Sequence, residues 1–402
     1  MNNFFIKILK RLTRSFGYEI SRYSQPSFSD RMVSLKPHNG YKGNVLLAYI
    51  LDPFLLKPGE AVSTKHTHDW ESLQIGKTFQ ELGYAVDVID FRNSQFIPQK
   101  KYSFFVSARS HFQQIGQRLN PDCIKIVHLE TSHFLFNNTS AYKRNLDLQQ
   151  RRGVTLTSLK WIQPNWAIEH ADIATIKGNQ FTVDTYAYAK KPFFQTRNPA
   201  VVSLPWPDNK KFDECRNNYM WLGSDGLVHK GLDLVLEAFA GMPDHHLTVC
   251  GPVQQDKRFE KAYYEELYET PNIHTYGWLD VGSEAFIDLS GKCIGLVYPS
   301  CAEAQAGAVI NCLQAGLIPV ISYESGVDVD DFGVILRDCS ILEIQETVQK
   351  VSAYPEEKLK VMARTAWEYA SNNHTRERFA EEYKQIIQTI LEQYASRADI
   401  MN

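Results

Sequence analysis

Between Ile294 and Ile321 the chain runs through a short apolar stretch, a loop of small and polar residues, a helix and a second apolar stretch, and no other segment constrains its fold as tightly. Ile294 to Tyr298 reads as a buried strand and Pro299 to Glu303 as the loop at its carboxyl end. Gly307 opens a helix that carries Ala308, Val309, Ile310, Cys312 and Leu313 and stops at Ala315-Gly316, before a second strand at Ile318 to Ile321. This is a βαβ unit of a parallel sheet. In open parallel sheets the ligand crevice lies at the carboxyl ends of the strands, where a helix N-terminus offers unpaired N–H groups and a positive dipole end to a phosphate. Glu303 stands in that crevice. A carboxylate there is electrostatically awkward unless it accepts hydrogen bonds from hydroxyls, as on a sugar. Asn311 lies four residues past Gly307, on the same helix face one turn further in.

At 402 residues the chain exceeds what a single core usually holds, and 44% hydrophobic with 22% charged residues is ordinary globular composition, so two domains are expected. A net charge of −3 argues against nucleic acid as the main partner. Seven cysteines, scattered and without a C-x-x-C pair, point to reduced thiols in a cytoplasmic protein rather than a disulfide framework or zinc site. No apolar run is long enough to span a membrane. In residues 1–16, Phe5, Ile8, Leu9, Leu12 and Phe16 form one helical stripe, with Lys7, Lys10, Arg11 and Arg14 opposite. That stripe suits peripheral contact with the inner membrane face or docking on the chain's own domain.

Residues 17–41 read as a linker, which with the helix makes an N-terminal segment 1–41. A first domain, 42–207, opens with a strand at Asn44 to Ile50, a long loop containing Pro53, Pro58 and Gly59, a helix from about Asp69 to Leu82, and a strand at Ala85 to Ile89. Further strands are Phe104 to Ser107 and Ile124 to His128, and Asp172 to Lys177 reads as the last. No G-x-G-x-x-G follows the first strand, against a nicotinamide dehydrogenase. A second domain, 208–374, holds strands at Tyr219 to Leu222, Leu247 to Cys250 and Ile273 to Tyr276 besides those of the βαβ unit, and 375–402 is a closing helix and tail. The D-x-D of Asp328 and Asp330 reads as an acidic loop, not a metal site, and the sequons at Asn137 and Asn373 mean little without secretion.

The segment Tyr219-Met-Trp-Leu-Gly223-Ser224-Asp225-Gly226-Leu-Val-His229-Lys230-Gly231, taken with 296–322, resembles glycosyltransferase family 4, retaining enzymes of the GT-B fold. The resemblance implies an α/β architecture of two Rossmann-like domains facing across a cleft, with a terminal helix returning to the first. It implies transfer of a sugar from a nucleoside diphosphate sugar, with no other cofactor and no metal, to a glycan or lipid-linked acceptor. Lys230 and Glu303 match the family's diphosphate lysine and first signature glutamate. The second glutamate falls on Asn311, and the family's arginine after the strand glycine is Ser224. Gly59, Gly223, Ser224, Ala306, Gly307, Ala308 and Asn311 are thereby assigned to the donor, and Glu130 or His133, in the loop after the strand ending at His128, to the donor sugar. Because Ser224 and Asn311 replace charged residues, a GT-B protein that binds sugar nucleotides or glycans without turnover is the alternative.

Overall fold

The structure, a computed structural model, describes residues 31–63, 66–156 and 160–401. The stripe in residues 1–16 lies outside them. Part of the expected linker is ordered as β1 (Met32–Leu35), an antiparallel edge strand on β3 whose alternating exposure suits a sheet margin.

The first sheet contains β1, β2 (Gly43–Tyr49), β3 (Tyr84–Asp90), β4 (Phe104–Ser107), β5 (Ile124–Leu129), β6 (Ile173–Lys177) and β7 (Phe193–Thr196) in the order β1-β3-β2-β4-β5-β6-β7. All pairs but the first are parallel. β6 is therefore not the last strand: β7, only four residues long and partly exposed, gives too short an apolar run to be read from sequence. The second sheet is wholly parallel, ordered β10 (Ile273–Gly277), β9 (His246–Cys250), β8 (Asn218–Leu222), β11 (Gly295–Tyr298), β12 (Ile318–Ser322) and β13 (Val334–Leu336). Its central strands are buried on both faces, which is why they read as unbroken apolar runs.

Among the parallel strands of each sheet the order reverses once, between β2 and β4 and between β8 and β11, and these switch points are where ligands of open α/β sheets bind. The terminal helix (Arg376–Met401) packs Phe379, Tyr383, Ile386, Ile387 and Ile390 against Val45, Leu47 and Val106 of the first sheet. At about 2 kcal/mol for each buried side chain, that seam contributes on the order of 10 kcal/mol of transfer free energy.

A second tie crosses in the other direction. The helix Phe134–Arg152 ends at Gly153 in the left-handed conformation, and its last half contacts the second domain. Leu148 and Leu156 sit in the core of the second domain. Arg144 donates to the Pro299 carbonyl at 3.0 Å, Arg151 pairs with the buried Asp233 at 2.7 Å, and Arg152 pairs with Glu266 at 2.6 Å. The expected division at residue 207 is thus not clean, because this bridging helix and its sequel are shared.

Candidate active site

On the second-domain side, the loop after β8 and the loop after β11 are knitted together. Cys301 N–H donates to the His229 carbonyl at 2.9 Å, and the His229 ring meets the Ala302 carbonyl at 2.5 Å. Burial, reinforced by Lys160, pushes the His229 imidazole down to about 3, so it is neutral and structural. The knitting brings Lys230 Nζ to 2.6 Å from Glu303 Oε1, which also accepts from the Tyr298 hydroxyl at 3.2 Å and Ser300 at 3.3 Å. Oε2 of Glu303 takes a second ammonium, Lys160 Nζ, at 2.7 Å. Burial would raise the Glu303 carboxyl, but Lys160 and Lys230 hold it well below the usual range. Burial lowers Lys230 to about 8, with Glu303 opposing and Lys160 adding to the fall. Behind Glu303 the helix Gly307–Gln314 starts without a side-chain cap, which leaves its first N–H groups free for an anion.

The first-domain side holds a second ionic network. Glu130 follows β5 directly. It accepts from the Tyr49 hydroxyl, from His68 Nδ1 at 2.6 Å and from Arg109 Nε at 2.8 Å. Behind it Glu71, fully buried on the helix His68–Glu81, pairs with Lys177 Nζ at 2.5 Å. Burial alone would raise Glu71, yet Lys177 and His68 bring it down to about 2; His68 and Arg109 likewise hold Glu130 well below the carboxylate range. His68 itself is raised despite its burial, chiefly by Glu130. Arg109 reaches this position from a backbone with φ of 74°, unusual for a residue with a side chain and common at functional loops.

Among the described residues, His68, Glu71 and Glu130 form the one group with metal-ligand spacing. Lys177 Nζ, 2.5 Å from Glu71 and 3.6 Å from Glu130, already puts a cation there. Asp328, Asp330 and Asp331 are exposed between β12 and β13, away from the cavity.

Both networks face one cavity of about 820 Å³, within the usual range for small-molecule sites. Lys230, Glu303, Glu130, Gly223, Ser224, Ala306, Gly307, Ala308 and Asn311 line it. Two expected residues do not. Gly59 lies in an exposed turn closed by Glu60 N–H to the Lys57 carbonyl. His133 caps the bridging helix: its Nδ1 accepts from Leu135 N–H at 3.3 Å and its Nε2 meets the Tyr188 hydroxyl at 3.1 Å. Asn311 is on the wall, but its Oδ1 is taken by Val201 N–H at 3.0 Å, in the segment joining the domains. Sequence reasoning missed Lys160, His68, Arg109 and Lys177 on the wall, and half-exposed Trp161, Trp166 and Trp278 around it. For Lys177 and Arg109 a signal existed, since each is a cation at or just beyond the carboxyl end of a parallel strand.

No family model matches the sequence, and no curated protein sequence matches it. Solved structures do. A sucrose-phosphate synthase from Thermosynechococcus elongatus superposes with a TM-score of 0.63 over 88% of this chain and 100% of that one, at 14% identity. Anabaena HepE in complex with UDP and glucose gives 0.54 over 87% and 100%, at 11% identity. The fold is GT-B. The cleft between two GT-B domains is where the cavity lies, with the switch points of both sheets opening onto it.

Proposed function

We propose that the chain is a retaining glycosyltransferase that takes a sugar from a nucleoside diphosphate sugar. The observation that carries the reading is the carboxylate of Glu303 held beside Lys230 at the second switch point, in front of an uncapped helix end. In transfer from such a donor, negative charge grows on the leaving diphosphate as the sugar becomes oxocarbenium-like, and fixed cations and N–H dipoles aimed at that charge are worth most. Lys230 and the amides at Gly307 and Ala308 meet the phosphates, Glu303 accepts from donor-sugar hydroxyls, and Glu130, steered by Arg109 and His68, faces the sugar from the other wall. The retaining course rests on the resemblance of segments 219–233 and 296–322. The solved neighbours support a nucleotide donor, since HepE was crystallised with UDP and glucose.

No divalent ion is needed in this reading, because lysines and helix amides supply the charge; turnover should survive EDTA. A glycan acceptor, free or lipid-linked, fits the rim, where Trp161 and Trp166 offer flat faces to sugar rings. A cytoplasmic location fits seven unpaired cysteines. Among the described residues no helix is long and apolar enough to cross a membrane.

The test is a thermal-shift panel of UDP-, GDP-, ADP- and dTDP-sugars, followed by assay of nucleoside diphosphate release. At a hundredfold excess over Kd, binding stabilises the native state by about 2.7 kcal/mol. One donor class should raise the melting temperature and be slowly hydrolysed without acceptor. A shift without any release would favour the non-catalytic binding protein, to which Ser224 and the engaged Asn311 lend support. No shift with any of the four would refute both.

A further inference from the structure

A sugar nucleotide brings two negative charges to its diphosphate, whereas Lys230 and Glu303 cancel one another. The wall formed by these two residues alone has no net charge with which to hold a dianion. The third member of the cluster is Lys160, which lies 143 residues before Glu303 in the sequence, in the segment that follows the bridging helix. We infer that Lys160 is a diphosphate ligand, the second cation of the donor site, and that Asn137 and Asn138 are the positioning residues that deliver it. The inference rests on the donor reading proposed above.

Two asparagines of the bridging helix hold the segment that carries the lysine. Asn137 Nδ2 donates to the Lys160 carbonyl at 2.9 Å, and Asn138 donates to the Ile162 carbonyl at 2.8 Å while accepting from Ile162 N–H at 3.0 Å. Both asparagines are buried, so these bonds act away from competing water. The aliphatic stem of Lys160 then lies over Gly226: a Cβ there would meet Lys160 Cβ at 3.2 Å and Cδ at 3.4 Å, and the φ of +86° also favours glycine. Gly226 belongs to the loop after β8 that carries Ser224, where the resemblance expects an arginine. The cation absent from the loop is supplied by a side chain passing over it. In the free protein both ammonium groups rest on Glu303; a bound diphosphate offers them more charge, which frees the carboxylate to accept from sugar hydroxyls.

The experiment compares wild type, Lys160→Met, Lys160→Arg, Asn138→Ala and the double variant Lys160→Met with Ser224→Arg. The probes are the nucleoside diphosphate released in the panel above, titrated calorimetrically at low and high salt, and kcat and KM on the parent donor. Lys160→Met should weaken diphosphate binding by about ten- to a hundredfold, the range for a hydrogen bond to a charged group, and flatten its salt dependence. Lys160→Arg should keep most of the affinity, Asn138→Ala should raise KM more than it lowers kcat, and Ser224→Arg should restore binding to the methionine variant. Lys160 is partly exposed, so its loss should leave the circular dichroism unchanged. Binding and turnover by Lys160→Met within twofold of wild type would overturn the inference while leaving the donor reading intact. If wild type binds no nucleoside diphosphate, that reading falls and this inference with it.

Discussion

Replacing Lys177 by methionine removes the ammonium that keeps Glu71 ionised in the interior of the first domain. The side chains are 3% and 0% exposed and lie 2.5 Å apart, so solvent cannot take over. What remains for Glu71 is His68 at 3.4 Å and the Tyr49 hydroxyl at 3.2 Å, and its Oε1 has no partner among the described residues. Breaking a buried pair from one side costs about 3–5 kcal/mol. For a unit of about 150–250 residues this lowers the melting temperature by roughly 2–4 °C per kcal/mol, hence about 6–20 °C in all. The pH dependence carries the sign. In wild type the Glu71 pKa of about 2 lies below its unfolded value of 4.5, so its contribution is complete above that value and is lost as pH falls through about 2. The difference amounts to about 3 kcal/mol. In the variant only His68 and the Tyr49 hydroxyl are left to oppose burial, which lifts the carboxyl above its unfolded value; the native state takes up a proton, and the deficit shrinks as pH falls from 7 to 5. Thermal scans by circular dichroism at both pH values, with Lys177→Met/Glu71→Gln alongside, read this out. The single variant should be worst at pH 7, better at pH 5, and largely repaired in the double. A melting temperature equal to wild type, or a deficit identical at both pH values, refutes the argument.

Lys230→Met should cut kcat/KM by about a hundredfold or more, as loss of one preorganised charge at a developing anion does, with unchanged circular dichroism. Since wild-type Lys230 loses its proton near pH 8, diphosphate affinity should fall between pH 7 and 9 in wild type and stay flat in the variant; equal slopes would remove Lys230 from the site. Asn311→Ala should cost about 1 kcal/mol of stability by stranding the Val201 N–H. A large loss of nucleotide affinity without that thermal penalty would mean its oxygen serves the ligand instead.

The second-domain half of the cavity was legible because parallel strands buried on both faces announce themselves as apolar runs, and Lys230 and Glu303 stand in the loops that follow two of them. Glu130 was legible for the same reason. Glu71 was not: an acidic residue in the first turn of a helix reads as a solvated dipole partner, and only the arrival of Lys177 from β6 reveals that it points inward. His133 misled because a histidine opening a helix serves equally as cap or as cleft residue, and the ring here bonds Leu135. Lys160 lies in an irregular stretch with no periodicity, and its place depends on asparagines a helix length away that resemble a glycosylation sequon. The first-domain sheet needed β7 and β1 besides, both short edge strands whose sequences alternate or break.

The bridging helix spans 19 residues, about 28 Å of rigid rod, and its arginines are fastened to Asp233, Glu237 and Glu266 of the other half. A two-lobed fold invites recombination, in which one lobe is exchanged for that of a relative. A crossover placed at residue 207, in the proline-rich connector, would transplant the rod with the incoming lobe and leave those acidic partners facing foreign side chains, with Lys160 replaced as well. Chimeras that keep residues 134–166 with the second lobe preserve the rod, its arginine anchors and the lysine together. The exchangeable portion of the first lobe is therefore two separate stretches of chain, before and after that insert, and the module that recombination must respect is discontinuous in sequence.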